Sequence, residues 1–141
     1  MGNYEAILTE HIVRKVMEYA GLQPGRFSLD WASAAEAPLF VELITKFTGQ
    51  IRELGELGKA EEMSREQLRF NLAAARSTVE SLKLRSRFGK LARDLRELKD
   101  YSSDVIEAKM AEKLNEAIVK EMDKHLTQSV NAADGIKLTR H

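Results

Sequence analysis

The distribution of proline most constrains the fold of this chain of 141 residues. Proline occurs only at Pro24 and Pro38, and a proline inside a helix removes a hydrogen bond and clashes with the preceding turn. The chain beyond residue 38 is therefore free to form long, uninterrupted helices. Apolar residues repeat along it at intervals of three and four, which is the pattern of a buried helix face.

The first half of the chain is expected to hold two helices. The first is predicted over residues 4–20 and is ended by Gly21. The second is predicted from a capping-box pattern at Ser33 to about residue 54, although Pro38 fits only a first turn and favours a later start. The apolar residues predicted on one face of this second helix are Phe40, Leu43, Ile44, Phe47, Ile51 and Leu54.

The second half is expected to be entirely helical. A capping-box pattern starts a helical stretch at Ser64, and this stretch continues to residue 99. Gly89 is expected to break it near residues 85–90, while one continuous helix is the alternative. A turn at residues 101–104 then leads into a last amphipathic helix over residues 105–126.

One strand is predicted between the first two helices. Phe27, Leu29 and Trp31 alternate with polar or small residues over positions 27–32, which is typical of a half-buried strand. A single strand cannot pair its own backbone groups, so its partners must lie elsewhere. The alternation favours a Trp31 side chain that closes the core, and the alternative is an anchor in an interface.

The predicted fold is mainly α with one strand. It consists of a truncated α/β layer, in the order helix–strand–helix, followed by two or three long helices. We expect residues 1–58 to form the partial α/β domain and residues 59–128 to form a helical C-terminal extension. Residues 129–141 are polar and are expected to be a flexible tail.

The sequence carries no pattern for catalysis or for a cofactor. It contains no cysteine, so it offers no thiolate for an iron–sulfur cluster or for nucleophilic attack. Its histidines, His11, His125 and His141, have no metal-ligand spacing. We predict no catalytic, cofactor-binding or metal-ligating residue, and we expect no catalytic activity from this chain alone.

Charge and hydropathy restrict the partners. The 22 basic and 22 acidic residues cancel, which gives no overall attraction to nucleic acid or to an anionic membrane. No apolar run is long enough to span a membrane, and the N-terminal residues do not read as a signal peptide. We therefore expect a cytoplasmic protein that binds neither nucleic acid nor membrane.

One segment is strongly basic. Residues 83–99 contain seven basic and two acidic side chains, which favours an acidic partner surface. Aromatic side chains for stacking on bases are almost absent there, since Phe88 is the one aromatic residue, so a protein partner is favoured over nucleic acid. A solvated helix face is the alternative interpretation. The basic residues are Lys83, Arg85, Arg87, Lys90, Arg93, Arg96 and Lys99.

Five segments resemble the delta subunit of methyl-viologen-reducing hydrogenases, an iron–sulfur protein family. These segments are Gly2-Asn3-Tyr4, residues 16–26 with their Gly-Leu-Gln-Pro-Gly-Arg turn, the Trp-Ala-Ser-Ala-Ala-Glu run at 31–36, Phe40-Val41-Glu42, and residues 51–55. Residues 72–99, including Phe88-Gly89-Lys90, resemble a helical addition found in some bacterial members. The resemblance is specific over residues 2–58 and weaker over residues 59–128.

The resemblance implies an accessory role in electron transfer. Delta subunits of this family carry electrons between a hydrogenase, or another dehydrogenase, and a heterodisulfide-reductase-like flavoprotein. Their [2Fe–2S] cluster is held by cysteines in the upstream portion of the family sequence, and this chain has none of them. The resemblance therefore implies a docking subunit of an anaerobic complex that does not itself hold the cluster.

Two origins of such a chain remain open, and so does its assembly. It is either a fragment of a longer delta subunit or a split subunit that docks beside a separate cysteine-bearing polypeptide. The alternative function is a cofactor-free helical interaction module that homo-oligomerises, because its long amphipathic half needs a partner. The residues predicted to form a partner interface are Asn3, Tyr4, Trp31, Lys83, Arg85, Arg87, Lys90 and Arg93.

Overall fold

The computed structural model describes the backbone of residues 2–138 and the side chains of residues 3–127. Within these limits the chain forms six α-helices and one short 3-10 turn, Pro24–Arg26, and contains no strand. The helices are α1 (Gly2–Ala20), α2 (Ala37–Leu54), α3 (Arg65–Glu80), α4 (Leu82–Leu98), α5 (Ser103–Lys113) and α6 (Asn115–Leu138). The mainly helical prediction is therefore confirmed, while the predicted strand is wrong.

Five of the helices share one hydrophobic core. Helix α3 packs against α1, α4 and α6, and α5 packs against α1, α4 and α6. Every third or fourth residue of α1 is buried in this core, as the spacing of Leu8, Ile12 and Val16 predicts. The other fully buried large apolar side chains come from α4, α5, α6 and the residue between the last two, and they are Leu91, Leu95, Ile106, Leu114, Ile118 and Met122.

The core joins both sides of the predicted boundary at residue 58. Helix α1, from the predicted N-terminal domain, contacts α3, α5 and α6 of the predicted extension. The division into domains stays a prediction, but α1 belongs physically to the helical bundle. The backbone of α6 continues to Leu138, so the flexibility predicted for residues 129–141 also stays a prediction, and His141 lies outside the described residues.

The helix boundaries show two breaks at unexpected positions. The stretch 64–99 forms two helices, as expected, but the break is at Ser81 and not at Gly89, which lies inside α4. Ser81 adopts φ −59° and ψ 128°, and its hydroxyl accepts a hydrogen bond from the Leu84 N–H at 3.4 Å. The predicted last helix is likewise divided, because Leu114 leaves helical geometry at φ −126° between α5 and α6.

Capping by serine is confirmed at one predicted site and wrong at the other. The Ser64 hydroxyl accepts a hydrogen bond from the Gln67 N–H at 3.1 Å and starts α3. Ser33 does not start a helix, because α2 begins at Ala37 with Glu36 as its N-cap residue. Instead the Ser33 hydroxyl donates to the Glu36 carboxylate at 2.9 Å. Pro38 occupies the first turn of α2, as expected.

Helix α2 lies outside the core. No residue within its bounds, Ala37–Leu54, is buried, and among the helices and turn of the described chain it packs mainly on the 3-10 turn. Its predicted apolar face exists as a geometric feature but faces solvent along much of its length. A helix of this amphipathic kind normally buries such a face against another element.

The predicted strand at residues 27–32 is irregular in the structure, and the reason is the lack of a pairing partner. Phe27 has β-region angles of φ −130° and ψ 137°. No backbone N–H or C=O of residues 28–32 takes part in a backbone hydrogen bond. Because a strand is defined by its ladder, and residues 2–138 supply no second strand, the segment cannot form one alone.

Candidate docking surfaces

The most exposed apolar surface is the outward side of α2. The predicted face residues Phe40 and Ile44 are 57% and 51% exposed, and Val41 beside them is 61% exposed. The remaining predicted residues of this face, Leu43, Phe47, Ile51 and Leu54, are half-buried. We call these seven residues the α2 face. An exposed, contiguous apolar face of this size is typical of a surface that another molecule covers.

The end of α2 is held in place by a buried ion pair. The Arg26 guanidinium donates to both oxygens of the Glu61 carboxylate, at 2.6 Å from Nε and 3.0 Å from Nη2. The Arg26 and Glu61 side chains are 9% and 0% exposed. Arg26 also donates to the carbonyl oxygens of Gly55 and Glu56, each at 3.0 Å. We call this arrangement the Arg26–Glu61 clamp.

Glu61 is further stabilised as a carboxylate by backbone donors. The Gln23 and Gly58 N–H groups donate to it at 2.9 Å and 3.0 Å. The hydrogen bonds from Arg26, with the help of these N–H groups, lower the pKa of Glu61 from 4.5 to about 2, although burial acts in the opposite direction. The carboxylate is therefore ionised at all physiological pH values.

A close approach at Gly25 supports the same end of α2. The Gln50 side-chain amide donates to the Gly25 carbonyl oxygen at 2.9 Å. A Cβ atom at Gly25 would lie 2.6 Å from Gln50 Nε2 and 3.4 Å from Leu54 Cδ1. Glycine therefore lets the 3-10 turn come close enough to hold α2, while the N-terminal half of the helix extends away from this contact.

Trp31 lies in the exposed connector between the 3-10 turn and α2. Its side chain is 47% exposed, so the expectation that it closes the core is wrong. The physical reason is that the sheet on which its alternation depends is absent from the described residues. The connector is anchored at its start, since Arg14 donates to the Phe27 carbonyl oxygen at 3.4 Å and its guanidinium lies 5.6 Å from the Phe27 ring centre.

The basic residues of α4 do not form one patch. Arg87, Lys90 and Arg93 border an open groove of about 570 Å³ together with Lys113 and three carboxylates, those of Asp94, Glu97 and Glu112. Arg85 borders a separate apolar recess with Phe88. Arg96 and Lys99 lie at the end of α4 beside Tyr4, and Lys83 lies close enough to Glu116 to help lower its pKa, after the larger effect of Lys120.

The groove on α4 is largely neutralised from within. Lys113 forms an ion pair with Asp94, and this contact lowers the pKa of Asp94 and raises that of Lys113. Arg87 donates to the Lys113 carbonyl oxygen at 3.1 Å. Four cations therefore meet three carboxylates in this groove. Such a balance favours a solvated helix face over a strong acidic-partner site, and a role in partner binding stays a prediction.

The predicted interface residues Asn3 and Tyr4 lie at the opposite end of α4 from Lys83. Tyr4 stacks on Tyr101 with ring centres 4.4 Å apart and an angle of 16° between the rings. Both Asn3 and Tyr4 are exposed, and Arg96 lies in the same shallow recess as the two rings. Stacked, exposed tyrosines beside arginine have the composition of many interface anchors.

The residue types needed for an iron–sulfur cluster are not assembled. Among the side chains of residues 3–127, no three His, Cys, Asp or Glu groups lie in a metal-binding arrangement. His11 borders an open groove between α1 and α5, and His125 lies 3.6 Å from Glu121 on its own helix. No helix in the described part of the chain is long and apolar enough to cross a membrane.

Comparison with known proteins identifies the segment that carries α1 and α2. Residues 1–55 match the delta-subunit family of methyl-viologen-reducing hydrogenases. This delta-subunit segment includes the 3-10 turn, the connector with Trp31 and the whole α2 face. The predicted resemblance is confirmed for this segment, which contains both the element that joins the bundle and the element that does not.

Three relatives are similar over a comparable length. The chain is 37% identical over 54 residues to an iron–sulfur subunit of the F420-non-reducing hydrogenase of Archaeoglobus profundus, covering 38% of this chain and 39% of the relative. It is 34% identical over 65 residues to a subunit of the ferredoxin:CoB-CoM heterodisulfide reductase of Methanosarcina mazei, covering 46% and 8%. The corresponding subunit of a CoB-CoM heterodisulfide reductase of Methanosarcina acetivorans is 35% identical over 57 residues, covering 40% and 7%.

The chain thus spans well under half the length of each of these relatives. No solved structure matches it. The relatives nevertheless belong to two kinds of protein, a hydrogenase and heterodisulfide reductases. The same stretch of sequence is therefore similar to part of a small subunit in the first kind and to part of a much longer subunit in the second.

Sequence reasoning missed the residues that fix α2. Arg26 and Glu61 are separated by 35 positions in the chain, and no periodic pattern links them. Arg26 stands at the end of the turn that resembles the family, which is the one signal that marked it. Tyr101 was also missed as a partner of Tyr4, because its sequence neighbourhood indicates only a turn.

Proposed function

We propose that this chain is an accessory docking subunit of a hydrogenase–heterodisulfide-reductase-type electron-transfer complex. The observation that carries the proposal is that the delta-subunit segment exposes an apolar face on α2. The relatives of the segment are subunits of hydrogenases and heterodisulfide reductases. A face of this kind inside such a segment is best explained by a partner polypeptide of the same complex. We expect this assembly in the cytoplasm.

The proposal assigns the redox chemistry to the partners. A [2Fe–2S] cluster of the family type needs cysteine thiolates, and this sequence has no cysteine. The residues present therefore do not fit the cluster. The role left to this chain is to position the partners, with candidate donors and acceptors in a hydrogenase, or another dehydrogenase, and a heterodisulfide-reductase-like flavoprotein.

The proposal is tested by reconstitution. The chain would be co-expressed with the hydrogenase and heterodisulfide reductase subunits of the same cells, and association would be measured by co-elution and by a dissociation constant. A Phe40→Glu/Ile44→Glu variant should weaken association at least about tenfold, because two charges would be buried against apolar surface. Thr45→Glu, on the opposite side of α2, serves as the matched control and should bind normally.

Two outcomes would contradict the proposal. One is the absence of association with every combination of these subunits. The other is stoichiometric iron bound by the isolated chain, which would make it a redox carrier in its own right. Equal binding of the face variant and of Thr45→Glu would remove α2 as the docking element.

A further inference from the structure

The connector ahead of α2 has the properties of a strand without a sheet. Its apolar and polar residues alternate from Phe27 to Ala32, and Phe27 already has β-region angles. No residue of this stretch has a positive φ, so each can adopt strand geometry without strain. The backbone groups of residues 28–32 form no backbone hydrogen bonds, so they are available for a ladder.

The α2 face follows this connector directly in the chain. A helix with an apolar face next to a strand is the repeating unit of a layered α/β structure, in which the helix covers one face of the sheet. The connector and α2 thus lack the same thing, namely a sheet that pairs with the first and is covered by the second. The Arg26–Glu61 clamp holds both elements at the end nearest the bundle.

We propose that residues 27–32 add as an edge strand to a β-sheet of the partner polypeptide and that the α2 face packs across that sheet. This inference rests on the proposed function, because it names how the docking segment engages its partner. Addition of a strand to an exposed sheet edge is a general mode of protein recognition, in which main-chain hydrogen bonds supply affinity and alternate side chains supply specificity.

The exposed area favours this occupant over a second copy of the chain. Trp31, Phe40, Val41 and Ile44 are each about half exposed and together offer on the order of 400 Å². Two α2 faces packed together would then bury about 800 Å² in total, which is the size of a crystal contact and not of a stable dimer. A partner that also pairs with residues 27–32 gains the further area that a standard interface needs.

Charge complementarity indicates the kind of sheet edge. Residues 28–36 carry two acidic side chains, Asp30 and Glu36, and no basic one. Natural proteins protect exposed edge strands with charged residues, above all lysine. An acidic connector strand fits an edge that presents lysine, since opposite charges on neighbouring strands stabilise a pair.

Hydrogen exchange of the reconstituted complex tests the proposal directly. Successive residues of a strand direct their backbone groups to opposite edges. Pairing along one edge should therefore slow exchange about tenfold or more at alternate amides only, either at Ser28, Asp30 and Ala32 or at Leu29 and Trp31. The amides of residues 28–32 in the free chain should exchange rapidly.

A charge variant provides a second test. Asp30→Lys should weaken association about fivefold or more, because lysine would face a lysine-bearing edge. The matched control is Glu53→Lys, which makes the same charge change on the exposed outer side of α2 and should leave association unchanged. Both residues lie outside the core, so both variants should melt like the parent chain.

The possible outcomes separate this inference from the proposed function. A complex in which α2 is protected but residues 28–32 exchange freely overturns the strand addition and leaves the docking function standing. Protection that appears in the free chain and increases with its concentration overturns the inference in favour of a second copy. A failure to form any complex overturns both.

Discussion

Arg26 and Glu61 face each other in a two-point ion pair, with Arg26 Nε 2.6 Å from one carboxylate oxygen and Nη2 3.0 Å from the other. The pair fixes the C-terminal end of α2 against the loop that leads into α3. Because α2 adds no buried side chain to the core, the clamp replaces hydrophobic packing as the means of holding this helix. We expect it to control the mobility of α2 more than the stability of the whole bundle.

The first prediction concerns removal of the Glu61 charge. Glu61→Gln keeps the side-chain shape but leaves the buried Arg26 guanidinium without its counter-ion, which costs about 2–4 kcal/mol. Amides near the end of α2 and in residues 55–61 should therefore exchange about 30-fold faster or more. Amides at the centre of α6 should change much less, since the core is untouched. Residue-resolved hydrogen exchange would measure both effects.

The control for this variant is another arginine–glutamate pair. Arg76 and Glu80 lie 3.1 Å apart on α3 with side chains 81% and 64% exposed, and such pairs add little stability. Glu80→Gln should leave exchange in α2 unchanged. Equal effects of the two variants would show that burial does not strengthen the Arg26–Glu61 clamp.

The second prediction is a pH dependence. The pKa of Glu61 is about 2 in the folded chain and 4.5 without its partners, so its contribution is present above pH 4.5 and is lost as the pH falls towards 2. The full contribution is about 3 kcal/mol for a shift of this size. The difference in α2 protection between the parent chain and Glu61→Gln should therefore be constant at neutral pH and disappear near pH 2. A difference that persists at pH 2 would contradict this account.

Local patterns were sufficient to predict the elements of the bundle. The spacing of Leu8, Ile12 and Val16 predicted α1, because one face of that helix meets the core. The Ser64 cap was equally readable, since its hydroxyl needs only a neighbouring backbone N–H. In both cases the interaction that decides the structure lies within a few residues in the sequence.

Features that depend on distant or absent partners could not be predicted in the same way. Gly89 stays helical because Phe88, Leu91 and Leu95 pack around it, and this packing outweighs the helix penalty of glycine. The residue pattern at positions 27–32 indicates a strand correctly as a preference, but a preference cannot supply the second strand of a ladder. The basic residues of α4 are close in sequence, yet helical geometry directs them to different sides.

The third prediction contrasts the core with the α2 face. Ile118 is 0% exposed within the bundle, whereas Phe40 is 57% exposed. Ile118→Ala should lower the free energy of unfolding by about 2–5 kcal/mol, because it leaves a cavity in packed surroundings. Phe40→Ala removes a larger side chain but should change it by less than about 0.5 kcal/mol, as is usual for surface substitutions. Urea unfolding of both variants would measure this, and a large cost for Phe40→Ala would mean that α2 is packed in the free chain.

The fourth prediction uses two glycines in opposite situations. A Cβ atom at Gly89 would meet no atom within 4 Å outside its own helix, so Gly89→Ala should stabilise α4 by up to about 1 kcal/mol through helix propensity. Gly55 has φ +73° and ends α2, so Gly55→Ala should be destabilising, since alanine is strained in that conformation. Thermal unfolding of the two variants should shift in opposite directions. A lower melting temperature for Gly89→Ala would show that α4 bends at this position, as the sequence alone had indicated.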